Sequence, residues 1–125
     1  MASNVTTKSR GDAAEDRALL YLQNQGLLLV ERNYRVARGP SARGAEVDLI
    51  MRDRDGTLVF VEVRQRSSNQ HGGAAASVGR GKQQRCIRGA QHYLMELNTW
   101  PPCRFDVVAI DGDLLTWLPA AFDAA

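Results

Sequence analysis

Two apolar runs around one turn, at Ala45–Arg66, constrain the fold of this chain more than any other segment. The runs AEVDLIM and TLVFVEVRQ have the composition of strands, and RDRDG between them supplies Asp55-Gly56 as a turn signal. We therefore predict a β-hairpin. Glu62 interrupts the apolar run LVFVEV, where an ionised carboxylate is costly unless a cation compensates its charge.

Carboxylates from both predicted strands should lie on one face of the hairpin. Residues two apart in a strand point the same way, so Asp48 shares its face with Glu46, and Glu62 shares its face with Arg64. A Mg²⁺ or Mn²⁺ ion held by Asp48, Glu62 and the Val63 carbonyl would compensate the buried charge. Such an ion can polarise a phosphodiester and lower the pKa of a bound water. The alternative is a cross-strand salt bridge between Asp48 and Arg64.

Patterns on both sides of the hairpin predict one α/β domain at 11–125, preceded by a flexible N-terminal tail at 1–10. Helical spacing, strand alternation and turn residues predict the other elements. These are a helix capped by Asp12 and ended by Gly26, a strand at Leu27–Ala37, a loop at Arg38–Arg43, a mobile loop at about 67–81, a helix at Lys82–Leu97, a strand at Arg104–Ile110 and a short final strand at Leu114–Leu118. This order predicts a mixed central β-sheet flanked by helices.

The second predicted helix should bury one face and expose a basic one. Its apolar residues fall within about 120° of one another on a helical wheel. They are Cys86, Ile87, Ala90, Tyr93, Leu94 and Leu97. Arg85, Arg88 and His92 lie on the opposite side, and residues 64–104 carry seven Arg or Lys against one acid. This basic region favours a nucleic-acid partner, and the alternative is an ordinary solvated helix face.

Composition excludes several classes of protein. No apolar run approaches the roughly 18 residues of a membrane span, and residues 1–15 lack the apolar core of a secretory signal. Two cysteines without a CxxC motif are too few for a structural zinc site, so we expect Cys86 in the core and Cys103 in a turn. The chain is therefore predicted to be soluble and cytoplasmic, with no membrane partner.

Several separated motifs carry a family resemblance. The run GAEVDLIMRDRDGTLVFVEVRQR, preceded by GDAAEDRALLYL and RNYR and followed by Lys82 and RFDVVAI, closely resembles the YraN/UPF0102 family. The similarity covers about residues 9–118. These small bacterial proteins are assigned to the PD-(D/E)XK nuclease superfamily and are similar in fold to archaeal Holliday-junction resolvases. The resemblance therefore implies a restriction-endonuclease-like core.

The resemblance also implies an activity and roles for single residues. It implies a Mg²⁺- or Mn²⁺-dependent endonuclease acting on DNA rather than RNA, with branched or repair-intermediate DNA as substrate. Asp48 and Glu62 match the metal-binding carboxylates, and Glu15 matches a first-helix carboxylate that reaches the metal or its waters. Arg64 stands where the family pattern has the catalytic lysine, and Lys82 matches a basic position that contacts the phosphate.

Other interpretations stay open from the sequence. Arginine at position 64 keeps the positive charge but gives up a proton less readily than lysine, which leaves a non-catalytic nucleic-acid-binding module as an alternative. A protein-interaction domain is another, with the hairpin charges acting as salt bridges. Glu15 fits equally well as the capping partner of Asp12. Junction-cutting relatives of this fold act as dimers, which makes a homodimer a further hypothesis.

Overall fold

The computed structural model describes residues 7–36, 44–66 and 79–124. The described segments form two helices and five strands. In chain order these are α1 (Thr7–Asn24), β1 (Leu28–Val36), β2 (Ala45–Arg52), β3 (Leu58–Arg66), α2 (Arg80–Met95), β4 (Cys103–Asp111) and β5 (Leu114–Phe122). The predicted loop at Arg38–Arg43 and most of the predicted mobile loop, at 67–78, lie outside the described residues.

The strands form one mixed sheet in the order β1-β2-β3-β4-β5. The neighbours β1/β2, β2/β3 and β4/β5 are antiparallel, whereas β3 and β4 are parallel. A parallel pair needs a crossover connection, and α2 lies in the segment that joins β3 to β4. The predicted α/β class is confirmed, and the arrangement is consistent with a restriction-endonuclease-like core.

The two helices cover opposite faces of the sheet. On one face, the small and apolar residues of α1 pack against alternate residues of the central strands. This cluster contains Ala14, Ala18, Leu22, Leu49, Met51, Val59, Val61, Val108 and Ile110. On the other face, α2 buries the apolar stripe predicted from its sequence. That cluster contains Ile50, Leu58, Phe60, Cys86, Ile87, Ala90, Leu94 and Phe105.

The first helix is longer than the sequence predicted. It begins at Thr7, so Asp12 lies inside the helix and is not its N-cap. The last four residues of the predicted tail at 1–10 therefore belong to α1. Helix propagation is cooperative, and the buried face formed by Ala14 and Ala18 stabilises the preceding turns despite Gly11. The predicted end is confirmed, because Gly26 has a φ of 102° just beyond the last helical residue.

The later elements shift by a few residues from their predicted bounds. Helix α2 begins at Arg80 and ends at Met95, so Leu97 packs on the core from beyond the helix. Cys103 is the exposed first residue of β4 and not a turn residue. The last strand continues to Phe122, which stacks on Phe105 at a centroid distance of 5.1 Å. Neither described helix is long and apolar enough to cross a membrane.

Candidate functional site

The predicted hairpin opens where its two carboxylates lie. The pairing between β2 and β3 extends from the turn to Leu49 and Val61, and Asp48 and Glu62 occupy the next position on each strand. Val47 packs on the α2 side with Ile50, although residues three positions apart in a regular strand point to opposite faces, so the alternation of β2 is broken between them. The Asp48 carboxylate accepts a hydrogen bond of 2.8 Å from the Val63 N–H.

Asp48 and Glu62 are both buried, with 6% of each residue exposed. Loss of solvation raises the pKa of Asp48 to about 6, and the charges of Glu15 and Glu46 add to the shift. Loss of solvation together with the Asp48 charge raises the pKa of Glu62 to about 8. Two carboxylates that repel each other in a buried place favour any cation that can reach them.

Lys82 supplies one such cation from the first turn of α2. Its Nζ lies 3.8 Å from Glu62 Oε1, an ion-pair distance longer than a hydrogen bond. The Lys82 side chain is 37% exposed, so it lies between the buried pair and solvent. Arg85 is exposed one turn further along, and its charge also lowers the pKa of Glu62. Two predicted nucleic-acid-binding residues therefore border the carboxylate pair.

A glycine allows α2 to approach β2 beside this pair. A Cβ atom at Gly89 would lie 2.8 Å from Val47 Cγ2 and 3.3 Å from the Glu46 backbone, closer than side chains tolerate. Only glycine therefore lets the helix rest on the strand at this point. The close approach fixes α2, and with it Lys82, relative to the strand that carries Asp48.

Glu15 reaches the same region from the opposite face of the sheet. Its side chain is 13% exposed, and Arg32 Nε lies 3.4 Å from its Oε1. Loss of solvation raises the pKa of Glu15, and the neighbouring Arg32 and Asn33 side chains partly offset this shift. The charge of Glu15 raises the pKa of Asp48, which places the two carboxylates within electrostatic range. The capping interpretation of Glu15 is wrong, because α1 begins eight residues earlier.

The remaining predicted site residues occupy different environments. Val63 binds Asp48 through its N–H, and its carbonyl as a metal ligand stays a prediction. Arg64 is half-buried on β3, and neither its catalytic role nor its pairing with Asp48 is tested. The exposed position expected for Arg88 is wrong, since Arg88 is half-buried, donates to the Gly44 carbonyl at 3.4 Å and has a buried Nε without a partner. Packing of α2 against β2 draws it inward.

The residues at this position fit a Mg²⁺ or Mn²⁺ ion. Carboxylate oxygens are the ligands that these hard cations prefer, and Mg²⁺ commonly takes one or two carboxylates while keeping water and substrate phosphate as its other ligands. Asp48 and Glu62 supply that number. Among the described residues, no three His, Cys, Asp or Glu side chains form a metal-binding cluster. Cys86 is buried nearby, and burial raises the pKa of its thiol, so it stays a core residue.

Sequence reasoning missed two residues that shape the site. Asn33 lies within a strand, where asparagine is uncommon, and that was a usable signal. Gly89 lies within a helix, where glycine costs about 1 kcal/mol and usually has a packing reason. Glu46, which the sequence placed on the same face as Asp48, is half-exposed and contributes charge to both buried carboxylates.

Comparison with known proteins assigns the chain to a family. The model of the uncharacterised protein family UPF0102 matches residues 14–110. The UPF0102 protein of Methylibium petroleiphilum is 66% identical over 121 residues, covering 97% of this chain and 99% of the relative. That of Paracidovorax citrulli is 56% identical, covering 98% and 89%, and that of Cupriavidus taiwanensis is 57% identical, covering 94% and 85%. No solved structure matches the chain significantly. On this similarity, the chain belongs to the UPF0102 family.

Proposed function

We propose that this protein is a Mg²⁺- or Mn²⁺-dependent endonuclease that hydrolyses phosphodiester bonds in DNA, with branched or repair-intermediate DNA as its substrate class. The observation that carries the proposal is the buried pair Asp48 and Glu62 at the opening of the hairpin, where the pKa of each carboxyl is raised. A divalent cation compensates such a pair better than one lysine at 3.8 Å. The resemblance to the PD-(D/E)XK superfamily supports the same chemistry.

Some residues of the proposed site bind the metal ion, and others bind the substrate phosphate. Asp48 and Glu62 hold the ion, and the Val63 N–H fixes the orientation of the Asp48 carboxylate through its 2.8 Å hydrogen bond. When bound, the ion supplies Lewis-acid polarisation of a phosphate oxygen and lowers the pKa of an attacking water. Lys82, at the solvent edge of the pair, donates to a non-bridging phosphate oxygen and offsets the negative charge that develops there.

The charge around the site supports a polyanionic substrate. Residues 64–104 carry a net charge of +6, from seven basic residues and one acid. Arg80 and Arg85 are exposed on α2, on the same helix as Lys82. These cations attract the phosphate backbone, while Asp48 and Glu62 bind the metal ion at the point of cleavage. Contacts of this kind recognise backbone and shape rather than base sequence.

A cleavage panel with one isosteric variant tests the proposal. Wild type and Asp48→Asn would be incubated with linear, flapped and four-way DNA and with RNA, in Mg²⁺, Mn²⁺ or EDTA. Asparagine keeps an oxygen that can accept the Val63 hydrogen bond but removes the charge that holds the ion. We expect wild type to cut DNA only with metal, and Asp48→Asn to bind DNA without cutting it. Glu31→Gln, which changes an exposed carboxylate on β1, is the matched control and should cut like wild type.

The outcomes separate the proposal from its alternatives. Cleavage that persists in Asp48→Asn would point to a contaminating nuclease and overturn the assignment. DNA binding without cleavage in wild type, across all substrates and both metals, would instead favour the non-catalytic binding module. Lack of both binding and cleavage would leave the carboxylates and cations as intramolecular ion pairs of a protein-interaction domain.

A further inference from the structure

Lys82 lies against the buried carboxylates from the start of α2. Its Nζ is 3.8 Å from Glu62 Oε1, and the Glu62 side chain is only 8% exposed. Burial raises the pKa of both Asp48 and Glu62, and the positive charge of Lys82 offsets part of each rise. This lysine therefore supplies, at Glu62, part of the positive charge that we assign to a divalent ion.

The contact between Lys82 and Glu62 is loose. At 3.8 Å it is an ion pair without a hydrogen bond, whereas Arg104 donates to Asp106 at 3.0 Å in the same sheet. The Lys82 side chain is 37% exposed, and its charge is carried on a flexible four-carbon stem. Because the close approach at Gly89 fixes the helix on β2, the ammonium group can leave Glu62 for solvent while α2 stays in place.

Lys82 and a divalent ion compete for the same carboxylate. Both are cations, so they repel each other when both lie at Glu62, and the ion carries twice the charge of the lysine. Ion binding therefore favours the arrangement in which Lys82 has left Glu62. A ligand shifts such an equilibrium by the difference between its affinities for the two arrangements. Once released, Lys82 lies on the exposed basic side of α2, beside Arg85.

We infer that Lys82 pairs with Glu62 in the metal-free protein and is released when an ion binds, so that it contacts DNA phosphate only in the metal-loaded protein. This role rests on the proposed function for the ion and the phosphate, and on the ion pair at 3.8 Å for the starting position of Lys82. Metal and DNA then bind cooperatively, and each raises the affinity for the other by the same factor.

The chain has two lysines, Lys8 and Lys82, so isotope labelling of the lysine Cε atoms gives two signals that NMR can follow. We expect Mg²⁺ to move the Lys82 signal and not that of Lys8, and a short DNA duplex to move the Lys82 signal in Mg²⁺ but not in EDTA. By EPR, Lys82→Met should bind Mn²⁺ about 5- to 10-fold more tightly than wild type, because the competing charge is gone. Lys8→Met is the matched control, since it removes a lysine from α1, which covers the other face of the sheet, and it should bind Mn²⁺ like wild type.

The outcomes separate the release of Lys82 from the proposed metal site. Mn²⁺ binding by wild type, with equal or weaker binding by Lys82→Met and a Lys82 signal that Mg²⁺ does not move, would overturn the release and leave the metal site in place. A Lys82 signal that DNA moves equally in EDTA and in Mg²⁺ would overturn the coupling between metal and DNA. If neither wild type nor Lys82→Met binds Mn²⁺, the proposed metal site fails and the release of Lys82 fails with it.

Discussion

Replacing Glu62 by glutamine should stabilise the metal-free protein at pH 8. Burial, with the Asp48 charge, raises the pKa of Glu62 from 4.5 to about 8 in the folded protein. Between these values the folded protein retains a proton that the unfolded chain has already lost. The free energy of unfolding of wild type should therefore fall by up to about 1.4 kcal/mol for each pH unit in this window. The contribution of Glu62 to the free energy of unfolding is fully present below pH 4.5 and is lost as the pH rises towards 8.

The size of the effect follows from the pKa shift and from the groups that share it. An isolated Glu62 titrating over the whole window would account for roughly 5 kcal/mol. Glu62 interacts with the charges of Asp48 and Lys82, so the two carboxyls titrate together. We therefore expect Glu62 alone to account for about 2 kcal/mol of the free energy of unfolding. Glutamine keeps the shape and removes the charge, so Glu62→Gln should gain about 2 kcal/mol, or roughly 7 °C in Tm, at pH 8. At pH 4.5 the two proteins should be nearly equal.

Urea unfolding followed by circular dichroism from pH 4.5 to 9, in EDTA, measures this difference. A hydrogen bond from Arg104 lowers the pKa of Asp53, and one from Thr57 lowers the pKa of Asp55. Their contributions to the free energy of unfolding are lost only below about pH 4, outside the range of pH 4.5 to 8 in which Glu62 acts. Wild-type stability that is constant or rises from pH 5 to 8, or a Glu62→Gln protein less stable than wild type at pH 8, would refute the reasoning. Adding Mn²⁺ should make wild type the more stable of the two proteins. The ion binds and stabilises folded wild type, whereas the variant lacks one of the two carboxylate ligands.

Two further variants address the cation and the packing of the site. Arg64→Lys should raise the rate of DNA cleavage, because lysine is smaller and gives up a proton more readily; an unchanged rate with Mn²⁺ would mean that the arginine is neutral. Gly89→Ala should lower the free energy of unfolding by about 1–3 kcal/mol, because its Cβ would meet Val47 and the Glu46 backbone. Gly81→Ala in the same helix meets nothing within 4 Å and should stabilise the protein slightly, so equal effects of both substitutions in thermal unfolding would contradict the packing argument.

The central hairpin was predictable because its signals are local. Strand composition, the Asp55-Gly56 turn and the single acid in LVFVEV together identify a pair of strands and the buried position of Glu62. Gly56 indeed has a φ of 89°, and Glu62 is buried. The apolar stripe of α2 was predictable for the same reason, since 3.6-residue periodicity appears directly in the sequence.

Other features depend on contacts between distant segments and could not be predicted locally. The simple alternation of β2 predicts where Asp48 points, but the break between Val47 and Ile50 arises from packing against α2. The inward position of Arg88 follows from the same close approach at Gly89. The length of β5 was underestimated because Pro119 is a poor strand residue, although an edge strand tolerates it.

The three buried carboxylates of the described sheet separate a structural role from a functional one. Asp106 accepts hydrogen bonds from Arg104, from the Trp117 indole at 2.9 Å and from the Ala120 N–H at 2.9 Å, so its burial is compensated within the fold. Asp48 and Glu62 are buried almost as deeply, but against each other and with a lysine at 3.8 Å. A fold that can satisfy Asp106 completely has no structural need to leave this pair in mutual repulsion. The unfavourable pair Asp48 and Glu62 therefore supports the proposal that a cation binds there.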